Sequence, residues 1–406
     1  MEFNNAPGTV MHVDFNSCFA SIEQQANPLL RGKPIVVAAF ATDRGCILVA
    51  SVEAKRLGIK TGFRVIDGKK ICPGLIVLPP DPWKYRNVHL KLRNLISGYT
   101  NNFTPKSIDE FVLNMDGYPR LRETDMKGIA LEIKQRIKKE IGDWLTVSVG
   151  IAPNRYLAKI AAGLHKPDGL DEINRQNFLE IYSKLKLTDL TGIKQRNAAR
   201  LNSLDIYSVL GFYNAPVWKL KAAFHSITGL YWHTRLTGYE IDDIEFGRRS
   251  FGNSVAIGKN LSKIEEISPI LSRLTEKMCS RLRTAGYRAH GVHLAIVYKD
   301  GSWWHKGYLT KDIYKGAFRL LLEANPSSPV LNLAVSCYGL SRNDSLQLNI
   351  FENVEKREDL EKSVDKLNHR WGDFTVTRAR SMGGAKMVMD RIAFGGVKEL
   401  GELPGH

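Results

Sequence analysis

Long apolar runs are missing from this chain of 406 residues: no stretch of about 18 apolar residues occurs, so no ordinary membrane-spanning helix is expected. The first residues, MEFNNAPGTVMHVDF, show no basic segment leading into an apolar core and a small-residue cleavage site. A cytoplasmic protein without a membrane partner is therefore expected. Cysteine is sparse. The five, Cys18, Cys46, Cys72, Cys279 and Cys337, are odd in number and widely spread, with no CxxC or Cys/His spacing that would hold zinc. A disulfide scaffold is excluded, and reduced, mostly buried thiols are expected. Internal repeats and low-complexity tracts are absent as well, which rules out solenoid and fibrous architectures.

Positive charge, by contrast, is in excess. Lys and Arg number 58 against 42 Asp and Glu, a net charge of +16, which suits a polyanionic partner such as nucleic acid or an anionic membrane. Hydrophobic residues make up 43% and charged residues 25%, the balance of a folded protein, and the length calls for several domains.

The pattern along the chain is mixed α/β. TVMHVDF (9–15) reads as a short strand, and NSCFASIEQQ as a helix opening with Asn16 or Ser17 as its cap. KPIVVAAF and GCILVAS are apolar strands, SVEAKRLG is a helix stopped by Gly58, and a Pro-punctuated stretch closes this early insertion at residues 21–82. Ile129, Ile133, Ile137 and Ile141 recur at every fourth position, one buried helical face with Asp125 as cap and Gly142 as stop. LTVSVGIA is the next strand, and NRYLAKIAAG a small-residue helix able to pack closely. The order resembles a split βαβ core with an inserted module. Short helical segments fill 175–240; then come a linker, a long helix, a hairpin with Asp300-Gly301 at its turn, and further helix and strand.

One short stretch poses a geometric problem. In SIDEF (107–111), Asp109 and Glu110 are neighbours, yet adjacent side chains in a regular strand point to opposite faces. Either one acid is merely solvated, or the chain bends so that both reach one place. Asp14 ends another strand, so three carboxylates could converge, as a pair of Mg²⁺ ions at a displacement on phosphorus requires.

The order and wording of the motifs narrow this choice. HVDFNSCFASIEQ (12–24), SVEAKRLGIKTG (51–62), SIDEF and VSVGIAPNRYLAKIAAGLHKPDGL (147–170), continued by LTGIKQRNAARL (190–201), RRSFGNSVAI (248–257) and DRIAFG (390–395), resemble the Y-family translesion DNA polymerases of the DNA polymerase IV type. The resemblance implies a multidomain α/β right-hand polymerase: a ferredoxin-like palm (1–20 and 83–175), small fingers (21–82), a helical thumb (176–240), a linker (241–249), an α/β little finger (250–396) and a tail (397–406). It implies low-fidelity, template-directed addition of deoxynucleoside triphosphates to primer–template DNA by a monomer. Asp14, Asp109 and Glu110 match the catalytic carboxylates, and the carbonyl of Phe15 is expected to touch a metal; the ions would be two Mg²⁺, with Mn²⁺ as an alternative. Phe19 matches an aromatic gate against ribose, where packing into the core is the competing reading. Lys166 matches the lysine that meets the triphosphate.

Two departures bear on the nucleotide. Where the family usually has Tyr-x-x-Arg on the triphosphate, this chain has Val52 and Lys55, which removes a hydroxyl and a bidentate guanidinium; neighbouring Arg56 could compensate. A polymerase-shaped DNA-binding accessory without catalysis is therefore the alternative function. In the thumb turn only Gly192 remains, with Lys194 where a second glycine is common, so distortion of the turn or a direct phosphate contact by Lys194 is expected. Asn16 stands where the family often has a further acid, a change expected to matter little because that acid is not among the usual metal ligands. QLNIF (Gln347–Phe351) resembles the short peptide by which bacterial polymerases bind the sliding clamp, while its alternating pattern reads equally as a half-buried strand.

Overall fold

The computed structural model describes residues 2–244, 247–342, 354–372 and 374–384. The clamp-type peptide 347–351, the DRIAFG motif and the tail 397–406 lie outside the described residues. The chain divides into two compact units at residues 245 and 246, inside the expected linker.

The first unit is built on a five-stranded sheet. Its elements run β1 (Val10–Phe15), α1 (Cys18–Ala26), β2 (Ile35–Ala38), β3 (Ile47–Ala50), α2 (Val52–Arg56), α3 (Val65–Ile71), β4 (Ile76–Leu78), α4 (Pro82–Ser97), β5 (Phe103–Pro105), β6 (Glu110–Asn114), α5 (Met126–Arg136), β7 (Val147–Ala152), α6 (Arg155–Leu164) and β8 (Leu170–Glu172). The sheet order is β5-β6-β1-β7-β8. β1 lies between β6 and β7, antiparallel to both, with Asp14 opposite Glu110 on one side and His12 opposite Gly150 on the other.

Alternation along these strands sorts the residues onto two faces. Met11, Val13, Phe111, Leu113, Val149 and Ile151 join one buried core with residues of α1, α4 and α5. Val10, Val112 and Ala152 join another with α6. Even-numbered His12, Asp14, Glu110 and Ser148 therefore point to the α6 side. The approach of α6 to the sheet is close enough that a Cβ on Gly150 would lie 2.0 Å from the Ala158 carbonyl oxygen and 2.2 Å from the Ala162 nitrogen. Only glycine fits there, and the alanines of α6 complete the fit.

The early insertion forms a three-stranded sheet, β3-β2-β4, with a small core of its own including Val36, Ile47, Ala54, Ile59 and Val65. Helix α1 runs unbroken through residues 20 and 21, where the expected fingers boundary falls. Its cap departs from expectation. Ser17 precedes the helix in the left-handed region at φ 50°, with no capping bond from its side chain. Asn16 does other work, described below.

The isoleucine face also differs in one detail. Asp125 caps α5 through its side chain, and Ile129, Ile133 and Ile137 are buried, but the last turn, Ile137–Ile141, is a π-helix ending at Gly142. The wider turn keeps Ile141 packed only partly against the core.

Among the described residues five α-helices follow in the first unit: α7 (Phe178–Lys184), α8 (Gln195–Asn202), α9 (Val209–Asn214), α10 (Val217–Phe224) and α11 (Thr228–Leu236). Gly192 turns at φ +93° before α8, and a Cβ there would crowd the Trp232 ring at 3.1 Å. Lys194 precedes α8 in extended backbone, φ −111°, which any residue adopts. The turn accordingly needs one glycine, and the expected distortion at Lys194 does not arise.

The second unit pairs β9 (Ser250–Ala256), β10 (Tyr287–Tyr298), β11 (Trp303–Leu309) and β12 (Val330–Arg342) in the antiparallel order β11-β10-β12-β9. Helices α12 (Ile264–Thr284) and α13 (Ile313–Ala324) share a core with one face of this sheet, and α14 (Val354–Trp371) follows. The hairpin turns at Gly301, φ +89°, as its Asp-Gly predicts.

Candidate active site

The acids meet at one end of β1 and β6. Antiparallel pairing puts Asp14 and Glu110 directly opposite and on the same, α6-facing side. Asp109 lies one residue before β6, where its backbone carbonyl accepts a hydrogen bond from the Phe15 N–H at 3.0 Å. Its side chain accepts from the Ser107 hydroxyl at 2.5 Å. A regular strand would send Asp109 to the opposite face from Glu110, and the chain resolves this by ending the strand between them. Asp109 stays close enough that its charge acts on Asp14 and the charge of Glu110 acts on it.

Electrostatics shows the three acids acting on one another. Burial, above all, raises the pKa of Asp14; Lys166 opposes this, and Glu110 and Asp109 add to it. Asp109 is likewise raised, chiefly by burial, with Ser107 lowering and Glu110 raising it. These are half-buried negative charges crowded together, a donor set of hard oxygens that a cation relieves.

Two lysines partly neutralise them. Lys166, in the loop after α6, donates to Asp14 Oδ2 at 2.5 Å. Lys159, on α6, bridges both oxygens of Glu110 at 2.8 and 2.6 Å. Sequence reasoning missed Lys159, although a lone lysine within the apolar run LAKIAAG was a usable signal. His12 was missed too. It is 1% exposed, its Nε2 is 3.9 Å from Glu110 Oε2, and its pKa is pulled down to about 3 by burial first and by Lys159, Lys166 and Lys106 next. The imidazole is neutral at ordinary pH. Atoms of His12, Asp14 and Glu110 all lie within 4.8 Å of one another, a spacing that could hold a metal ion.

Asn16, at the position where a further acid is common, has a positioning role. Its amide donates to Ser148 Oγ at 2.8 Å, while its carbonyl oxygen accepts from Thr146 Oγ1 at 3.1 Å and from the Asp168 N–H at 2.8 Å. It fastens the loop carrying Lys166 to the strand that carries Asp14.

The remaining expected residues are placed unequally. Phe15 is buried, its peptide being the part that faces Asp109. Lys55 follows the Ser51-capped turn of α2. Its pKa is lowered by burial and then by Lys166, while Asp14 and Asp109 raise it, so it belongs to the same electrostatic cluster. Arg56 is exposed at the end of α2, and Val52 is half-buried at its start. Phe19 is 2% exposed and stacks on Tyr85 with centroids 4.2 Å apart and planes within 6°. Tyr85 in turn donates to Glu23 at 2.9 Å. This is the packing that the core reading expects. Cys18 is buried, its thiol pushed well up by burial and by Asp109 and Asp14. Among the described residues no helix is long and apolar enough to cross a membrane.

Comparison with known proteins bears on the chain as a whole. The impB/mucB/samB family matches residues 13–163, and its C-terminal domain matches residues 248–350. The DNA polymerase IV of Pelotomaculum thermopropionicum is 31% identical over 94% of this chain and 97% of its own length. DNA polymerase IV 2 of Bacillus subtilis is 29% identical over 94% and 96%. Among solved structures, the Y-family DNA polymerase chimera Dbh-Dpo4(243-245)-Dbh superposes with a TM-score of 0.71 at 26% identity, covering 82% of this chain and 99% of that one. The insertion ternary complex of Dbh DNA polymerase covers the same shares with a TM-score of 0.56. These relatives are polymerases, so the catalytic reading stands over the accessory one: the chain belongs to the impB/mucB/samB family of Y-family translesion DNA polymerases and is a DNA-directed DNA polymerase.

Proposed function

We propose that Asp14, Asp109 and Glu110, with the carbonyl of Phe15, hold two Mg²⁺ ions, for which Mn²⁺ can substitute, at the place where the primer is extended. The observation that carries this is the opposite pairing of Asp14 and Glu110 on the face under α6, with Asp109 brought alongside by the Phe15 hydrogen bond. When bound, such ions lower the pKa of a hydroxyl and neutralise the charge of a triphosphate. The side chains do the positioning. Lys166 and Lys55 supply positive charge on the nucleotide side, with Arg56 next to them in the chain, and Asn16 fixes the Lys166 loop. Phe19 limits the space at the sugar, its plane set by Tyr85.

On this reading residues 1–20 and 83–175 serve as palm, 21–82 as fingers, 176–240 as thumb, and 250–396 as little finger after the linker 241–249. The excess positive charge holds primer–template DNA by its phosphates, which leaves damaged bases unread and favours synthesis across lesions at low fidelity. The protein works as a cytoplasmic monomer on deoxynucleoside triphosphates, and the peptide 347–351 is its sliding-clamp contact. Clamp-dependent processivity after Gln347→Ala with Phe351→Ala tests that last point: wild-type stimulation in the folded double variant removes it. Primer extension with Mg²⁺ tests the site. Loss of extension in Asp109→Ala and in Glu110→Ala, with DNA affinity retained, is expected; wild-type extension by either variant removes the mechanism.

A further inference from the structure

The acid cluster contains one group to which the polymerase reading gives no task. His12 stands two residues before Asp14 on the same face of β1 and is 1% exposed. Among the described residues, neither of its ring nitrogens has a hydrogen-bond partner. A buried imidazole normally finds one, because an unmet buried donor or acceptor is costly. Its Nε2 instead stands 3.9 Å from Glu110 Oε2, and ligand atoms of His12, Asp14 and Glu110 lie within 4.8 Å of one another. Two ligands each about 2.1 Å from one ion stand between about 3 and about 4.2 Å apart, depending on the angle they subtend. The 3.9 Å separation falls inside that range, while the three-atom set, spread over as much as 4.8 Å, draws together to share one ion.

We propose that His12, Asp14 and Glu110 form a mixed nitrogen–oxygen cation site that holds a first-row transition ion such as Mn²⁺ in preference to Mg²⁺. The proposal rests on reading the acids as the metal-binding group and adds to them an imidazole ligand. Mg²⁺ is a hard ion that favours oxygen, whereas imidazole is a good ligand for transition ions, so a nitrogen in the set shifts the choice between them. The entering ion takes over charge balance from Lys159 on Glu110 and from Lys166 on Asp14. Lys159 gives up Glu110 to the ion, and the buried, unpartnered imidazole closes on it.

The test uses the full-length protein without DNA or nucleotide and Mn²⁺ as the probe. Electron spin-echo modulation of bound Mn²⁺ should show the coupling of a directly bonded ¹⁴N. His12→Leu should lose that coupling and bind Mn²⁺ about tenfold more weakly, while its Mg²⁺ affinity changes by less than about twofold. Thermal melting checks that the variant is folded, and the wild-type spectrum decides the matter if it is not. Mn²⁺ bound without nitrogen coupling, no Mn²⁺ bound, or equal affinity for the two ions overturns the proposal. Primer extension with Mg²⁺ by the same preparation separates the two readings. Extension without nitrogen coupling sinks this inference alone, whereas nitrogen coupling without extension sinks the catalytic reading and leaves the ion site standing.

Discussion

The two sheets of this protein solve different problems. In the first unit β1 is covered on both faces, by the α1, α4 and α5 core on one side and the α6 core on the other. Polar groups can then emerge only at the ends of strands, where Asp14, Asp109 and Glu110 are found. In the second unit, among the described residues, helices cover one face: Val292, Leu294, Ile296, Leu333 and Val335 point into the core with α12 and α13, while the alternate positions are half-buried or exposed. That open face presents groups such as Trp303 and His305 on β11, with His305 against His293. A doubly covered sheet can aim a few atoms accurately; a singly covered one offers area. Chemistry suits the first, and a broad contact suits the second.

The largest test of this contrast removes the strand-end acids. Asp109→Ala or Glu110→Ala should lower primer extension by more than about a hundredfold. Gel-shift affinity for primer–template should stay within about twofold of wild type, and a matching loss of DNA binding would show that the first sheet also holds the DNA. Salt sharpens the comparison further. Affinity should fall by about a hundredfold or more between about 50 and 200 mM salt, with the same slope in the acid variants. A changed slope would put phosphate contacts at the acids themselves.

Smaller effects are expected around the nucleotide. Phe19→Ala should raise ribonucleotide incorporation about tenfold relative to deoxyribonucleotide in single-nucleotide kinetics. An unchanged ratio assigns Phe19 to packing alone, as its stacking on Tyr85 allows. Val52→Tyr with Lys55→Arg should lower the nucleotide KM about threefold to tenfold by adding contacts to the triphosphate. A rise in KM would mean that Lys55, already tied electrostatically to Asp14 and Asp109, is the better group in this site.

The smallest effect concerns stability. Burial raises the Asp109 pKa, so its ionised form is less welcome in the folded than in the unfolded chain. Asp109→Asn should therefore melt about 2 °C higher than wild type at pH 7 in a chelator. The gap should close as the pH falls through the raised pKa toward the ordinary carboxylate range, because the wild-type side chain is then neutral as well. A variant that melts lower at pH 7 would contradict the assigned cause.

Local regularities made much of this legible beforehand. Alternation and turn chemistry located β1, the hairpin at Gly301 and the Asp125-capped helix, because each depends on neighbours in sequence. The adjacency of Asp109 and Glu110 posed a choice between a solvated acid and a bend without deciding it. What stayed hidden depends on distant partners: Lys159 reaches Glu110 across 49 residues, and Asn16 reaches Asp168 across 152. Phe19 illustrates the limit from the other side, since one ring can pack and gate at once and spacing does not separate the two.

The contact at Gly150 sets a tolerance for the whole site. Helix α6 rests on bare backbone there, so the position of Lys159 is registered against the sheet with no compressible side chain between them. Adding a single methyl group at residue 150 lifts the helix, and with it the ammonium that steadies Glu110. The accuracy of the charged end of the sheet is thus written partly in a residue that has no chemistry of its own. Gly150→Ala should spoil the alignment of this site before it touches any acid.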